Sequence, residues 1–218
     1  MSKNNIFLAL FYSVLCSLAL CGPQVVEASR PSISVKRVYE ESRGVFFSAT
    51  LKDSFTKEIR ELMTSGAALP FRFHILLKMK RGGWADKTVG KITLTKSVKY
   101  DFLKKEYKAS EMIKRKGRIF KKSPEEKSRH FVEKNIGSLE ETEKWMSDLN
   151  GIFLLNLNKM KPSKEYYIQV RVDLLTIDLW VPFNYIFFFL SFWDVDTKWA
   201  TSAPFTANTL LPSGEGGN

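Results

Sequence analysis

Leu69-Pro70-Phe71-Arg72-Phe73-His74-Ile75-Leu76-Leu77-Lys78-Met79-Lys80 runs directly into Arg81-Gly82-Gly83. Phe71, Phe73, Ile75, Leu77 and Met79 occupy alternate positions, with Arg72, His74, Leu76, Lys78 and Lys80 between them. Successive side chains of a strand point to opposite faces, so the segment reads as a strand with one apolar face, and the two glycines supply a turn.

The same period recurs on both sides. Val45, Phe47, Ala49 and Leu51 alternate with Phe46, Ser48, Thr50 and Lys52. Ile92, Leu94, Val98, Tyr100 and Phe102 share a face that Lys96 interrupts, and a charge in an apolar row predicts a sheet edge or a strand end there. Tyr107 and Ala109 begin another strand after a turn at Leu103–Lys105, and Ile152–Leu157 is a short apolar run. Tyr166, Ile168, Val170, Val172 and Leu174 alternate with Tyr167, Gln169, Arg171 and Asp173. One-sided alternation indicates antiparallel sheets with one wet face, which bury their apolar faces by stacking. The expected fold is mainly β: a two-layer antiparallel β-sandwich of immunoglobulin-like kind, with two or three short helices.

Two helices are predicted between the strands. Phe55, Ile59, Leu62 and Met63 have helical spacing, Ser54 or Thr56 can cap the start, and Gly66 can end it. Ser138-Leu139-Glu140-Glu141 reads as a capping box, Leu139, Met146 and Leu149 share a face with Trp145 beside them, and Gly151 closes the helix.

The chain has 218 residues and 34 Lys and Arg against 23 Asp and Glu, a formal net charge of +11. Its 44% hydrophobic and 26% charged residues exclude a disordered or fibrous protein. Residues 1–28 read as a secretory signal peptide: Lys3, an apolar core from Ile6 to Leu20, then Gly22-Pro23 and Val26-Glu27-Ala28, with small residues at the two positions a signal peptidase reads. Cleavage is expected after Ala28. Leu18-Ala19-Leu20-Cys21 approaches a lipobox, but Leu20 is large where a small residue is needed, so lipidation of Cys21 is the alternative. Cys16 and Cys21 both leave with the leader, so the mature domain, expected as one unit over 29–205 with a flexible tail at 206–218, holds no disulfide.

Two stretches stand out. From Lys104 to Lys134 there are 12 Lys and Arg and 5 Asp and Glu. Lys114, Arg115, Lys116, Arg118, Lys121 and Lys122 in this basic insertion read as an exposed hairpin or long loop. Few aromatics accompany them, which disfavours nucleic acid and favours anionic headgroups or plain solvation. Leu179–Trp193 is apolar on both faces, and its 15 residues are too few to span a bilayer. Trp180, Phe183, Tyr185, Phe187, Phe189 and Trp193, with Trp199 beyond them, are either a doubly buried element or a contact for a membrane, a partner or an apolar ligand.

The order of several pieces is similar to the bacterial domain-of-unknown-function family 4390. These are Ser65-Gly66-Ala67-Ala68-Leu69-Pro70-Phe71, Leu94–Tyr107 with its turn at Tyr100-Asp101, Leu139–Gly151, Tyr166–Leu174, Pro182-Phe183-Asn184-Tyr185, Phe192-Trp193-Asp194 and Thr197-Lys198-Trp199. The likeness runs from about Ser42 to Phe205. Lys198 stands where the family tends to have an acid, and Glu111–Arg129 looks like an insertion. The resemblance implies a small exported protein without an established activity, and a membrane sensor kinase of the nitrogen-regulation type as a partner, since such genes often lie beside the family's.

Catalysis finds little support. The two histidines, His74 and His130, have cationic neighbours, which disfavours a metal site. No Gly-x-Ser-x-Gly elbow is present, and Asp173, Asp178, Asp194 and Asp196 read as solvated carboxylates. No catalytic residue, metal or cofactor is expected. The sequence reads as a non-catalytic binding module exported to the periplasm, at the outer face of the cytoplasmic membrane, its partner a membrane surface or a membrane protein such as a sensor kinase ectodomain. A carrier or sensor of an apolar ligand held in the sandwich is the alternative, and an enzyme a distant third.

Overall fold

The computed structural model describes residues 30–117, 119–120, 130–174 and 197–210. Residues 1–29, which include the expected signal peptide, Leu179–Trp193 and the last eight residues lie outside them. The elements run β1 (Ser32–Glu41), β2 (Gly44–Lys52), α1 (Lys57–Thr64), β3 (Leu69–Met79), β4 (Lys87–Asp101), β5 (Glu106–Lys116), β6 (His130–Ile136), α2 (Leu139–Ser147), β7 (Asp148–Asn156), a 3-10 turn (Leu157–Lys159), β8 (Tyr166–Leu174) and β9 (Ala200–Thr201). They form two sheets, one ordered β1-β2-β7 and the other β6-β5-β4-β3-β8-β9. Every pairing is antiparallel. The result is a mainly β, two-layer sandwich, immunoglobulin-like in its layering, with two short helices among the described residues.

The alternating rows make its core. Val45, Phe47, Ala49 and Leu51 of β2 face Phe71, Phe73, Ile75 and Leu77 of β3, Ile92 and Leu94 of β4, and Ile168, Val170 and Val172 of β8, all in one buried cluster. Burial of a large apolar side chain contributes about 1.5–3 kcal/mol, so these rows set the register of every inner strand.

Strands β1, β6 and β9 escaped the period-two reading, β1 for a visible reason. In β1 the register shifts between Val35 and Arg37. Ile33 and Val35 lie opposite Leu51 and Ala49 on the core side, whereas beyond the bulge it is Val38 that meets Phe47. The bulge moves the core-facing positions from odd to even, while Tyr39 is buried against Phe46, so no alternation survives in the sequence.

The helices differ in how they end. Thr56 caps α1 by accepting from the Ile59 amide, and Ile59, Leu62 and Met63 are buried. Gly66, just beyond, has a left-handed φ of +77°. Ser138 caps α2, its hydroxyl accepting from the Glu141 amide at 3.2 Å. Gly151 does not close this helix. The helix stops at Ser147 and the chain enters β7 directly, while Gly151 (φ +63°) sits in a register shift of β7 where its amide donates to the Ser48 hydroxyl. Ser138→Ala is expected to lower stability by about 1 kcal/mol in a urea melt, the usual worth of an N-cap.

The turn at Tyr100-Asp101 is also explained. The Asp101 carboxylate accepts from the amides of Leu103 and Lys104 at 3.0 and 3.2 Å. A hydrogen bond from Lys108, aided by those amides, holds this carboxyl at about 2.

Candidate functional site

Lys96 does not mark an edge or a strand end. β4 continues through it to Asp101 with β3 on one side and β5 on the other, so Lys96 sits inside the sheet, on the core face with Ile92, Leu94 and Val98. Its side chain is only 4% exposed. The fold satisfies the ammonium: Nζ donates to the carbonyl oxygens of Trp145 at 2.7 Å and Asp148 at 2.6 Å, where α2 hands over to β7. Glu111 is its cross-strand neighbour on β5, 3.8 Å away. Burial pushes the Lys96 ammonium down to about 8, with Lys134 adding to that and Glu111 and Asp148 opposing it. The Trp145 ring takes two cations, Lys96 at 4.8 Å and Lys134 at 5.0 Å from its centroid. A cavity of about 580 Å3 opens here, lined by Lys96, Lys134 and Lys144 and by Glu111, Glu141 and Asp148, with amides and Ile136 and Ile152. Its charges are mixed and partly paired, and Lys96 spends its donors on main-chain oxygens. The arrangement ties α2 to the large sheet.

The second cavity has a different character. It begins at the β3–β4 turn. Lys80 pairs with Glu165, the Arg81 amide donates to Asp86, and the Tyr167 hydroxyl donates to the other oxygen of Asp86 at 2.7 Å. That hydroxyl, with the Arg81 amide, draws the Asp86 carboxyl below its ordinary value. The braced turn holds Trp84 at its tip, 80% exposed. Behind it, Lys87 and Lys91 lie on β4, and register places Lys91 opposite Lys116 at the end of β5. The chain then folds back over β4. Gly117 (φ +139°) lies so close that a Cβ there would stand 2.9 Å from the Val89 carbonyl oxygen. Lys159 and Lys161 arrive from the segment before β8, where the Lys161 amide donates to the Tyr166 hydroxyl at 2.9 Å. The five lysines, with Met79, Thr88, Val89, Gly90, Gly117, Ile119 and Tyr166, line a cavity of about 620 Å3. Among the described residues no carboxylate lines it, and none of the five lysines is in an ion pair.

The residues singled out from sequence are dispersed. Trp180, Phe183, Tyr185, Phe187, Phe189 and Trp193 lie outside the described residues, as do Arg118, Lys121 and Lys122. Trp199 is 40% exposed, with the Arg171 guanidinium 5.1 Å from its ring centroid. Lys114, Arg115 and Lys116 are strand residues of β5, not loop. Strands β5 and β6 are the arms of the expected hairpin. Lys114 is exposed and Lys116 lines the lysine cavity. Arg115 is part-buried and donates to the Phe153 carbonyl oxygen. Asp173 is not simply solvated: its carboxylate lies 2.6 Å from His74 Nε2. Lys87, Lys91, Lys159, Lys161 and Trp84 were missed. The available signal was a tryptophan straight after a two-glycine turn; a register shift puts Lys87 opposite Met79 and Lys91 opposite Leu76, so no single alternation links these two lysines.

Among the described residues no group of His, Cys, Asp and Glu could hold a metal ion, and no helix is long and apolar enough to cross a membrane. These features define a lysine-rich antiparallel β-sandwich with a concave basic end. The chain belongs to the DUF4390 family, a domain of unknown function, whose family model matches residues 28–202. Comparison with curated proteins and with solved structures finds no match.

Proposed function

We propose that this is an exported, non-catalytic envelope protein that docks its lysine-lined end on the anionic outer face of the cytoplasmic membrane. One observation carries the reading: five lysines from three separate stretches converge on one concavity without a carboxylate among its described lining residues. A Lys near an anionic surface contributes roughly 1 kcal/mol, so the cluster supplies several kcal/mol of salt-sensitive attraction. Trp84, displayed beside the cluster on a braced turn, adds an amphipathic ring of the kind that settles at headgroup level. The leader pattern of residues 1–28 supports delivery to that face. Docking there sets the protein beside membrane-protein ectodomains, including the sensor kinase that the family resemblance implies.

Co-sedimentation with vesicles is the test. The protein freed of residues 1–28 is expected to pellet with phosphatidylglycerol vesicles at low salt, to ignore phosphatidylcholine, and to be released as salt shortens the Debye length to about 3 Å near 1 M. Trp84→Ala is expected to weaken binding about 5- to 10-fold, as losing one well-placed interfacial ring does. Indifference to anionic vesicles at low salt sinks the reading.

A further inference from the structure

Resting on the docking reading, the geometry points to a particular ligand for the lysine cavity: the headgroup of a membrane lipid that carries two phosphate groups. Diffuse attraction to a charged surface needs lysines on a face and no concavity. Here Lys87 and Lys91 from β4, Lys116 from β5 and Lys159 and Lys161 from the segment before β8 line one space of about 620 Å3. One phosphodiester brings a single negative charge and leaves most of the five ammonium charges without a counter-charge. Two phosphates in one molecule come closer to balancing them, and once one is held the other binds as an intramolecular step. The apolar part of the wall, Val89 among it, suits the glycerol carbons between phosphate and acyl chains. Lys is a point-charge donor with rotatable hydrogens, so the site tolerates the loose geometry of a flexible headgroup.

The experiment compares two vesicle preparations in a phosphatidylcholine background. One carries diphosphatidylglycerol, and the other carries twice the mole fraction of phosphatidylglycerol, so surface charge and phosphate are equal. Affinity is expected to be about tenfold or more higher for diphosphatidylglycerol, the gain of linking two weak contacts. Combined Lys91→Gln, Lys116→Gln and Lys159→Gln should abolish the preference. Combined Lys52→Gln, Lys99→Gln and Lys105→Gln, with the same loss of charge on exposed lysines outside the cavity, should keep it. Equal affinity for the two preparations overturns the headgroup site and leaves surface docking standing. Failure to bind either preparation, with inorganic pyrophosphate still bound in calorimetry, overturns the membrane as the source and assigns the cavity to a free anion. Failure with all three probes overturns both readings.

Discussion

Replacing Lys96 with methionine destabilises the protein by about 3 kcal/mol at neutral pH, measured as a shift of the urea midpoint, although methionine is apolar and of similar length. A buried ion pair can often be exchanged for hydrophobic residues at little loss, because both charges leave together. That exchange is not open here. The main partners of the ammonium are the carbonyl oxygens of Trp145 and Asp148, which belong to the backbone and stay behind. An orphaned buried acceptor costs about 1–3 kcal/mol, and there are two. Glu111→Gln removes only the 3.8 Å partner, itself 23% exposed, and is expected to cost about 1 kcal/mol or less. A loss below about 0.5 kcal/mol for Lys96→Met would mean that water or a side chain re-satisfies those oxygens.

The pH dependence follows from the same burial. Lys96 has a folded pKa of about 8 against 10.5 for an ordinary lysine. Between these values the unfolded chain binds more protons than the folded one, so the contribution of Lys96 to stability rises with pH across that window and falls as pH drops through 8. The gap between the wild-type protein and Lys96→Met should therefore widen from pH 8 to 10.5 in denaturant melts at matched salt.

Lys96 also shows where sequence reading stops. Alternation identifies Ile92, Leu94 and Val98 as a core row, and the physics that puts them inside argues against a lysine among them. Its tolerance depends on two carbonyls contributed some 50 residues later, at a helix end whose position against the sheet no local pattern records. β1 was hidden for a different reason, since its bulge at Lys36 moves the core-facing positions from one parity to the other. Gly151 reads as a helix stop because glycine commonly is one, yet the same left-handed φ serves a strand irregularity equally well. Strands that alternate without interruption, such as β3 and β8, were fully legible.

The candidate site was less legible than the fold. Searching for runs of charge finds Lys114–Lys122, because such runs are contiguous. The lysine cavity is not contiguous: Lys91 and Lys116 are brought face to face by register, and Lys159 and Lys161 are delivered by the chain between β7 and β8. Even within the run, the members part company. Lys116 turns to the cavity, and its neighbour Arg115 turns to the Phe153 carbonyl of the other sheet. Two-fold alternation on a strand divides a charge run between two faces, so counting charges cannot reveal which of them act together.

Tyr166 joins the fold to this site, and its truncation is the second large effect. Tyr166→Ala is expected to cost about 3–5 kcal/mol, the usual range for deleting a buried aromatic ring. The residue is 2% exposed, stacks on Phe205 at 6.4 Å between centroids, and exchanges two main-chain hydrogen bonds of 2.8 Å with it. The backbone bridge survives truncation in principle, but the ring that packs Phe205 against the end of β8 does not. Tyr166→Phe separates the two roles. It keeps the ring and removes only the hydroxyl that accepts from the Lys161 amide, a loss of about 1 kcal/mol. Stability should then fall far less than in Tyr166→Ala. The segment holding Lys159 and Lys161 loses its tie to the cavity wall, and affinity for anionic vesicles should drop while the urea midpoint shifts by no more than that loss of about 1 kcal/mol explains. If vesicle affinity is unchanged in Tyr166→Phe, the position of these two lysines does not matter to binding, and attraction at that end is governed by charge number alone.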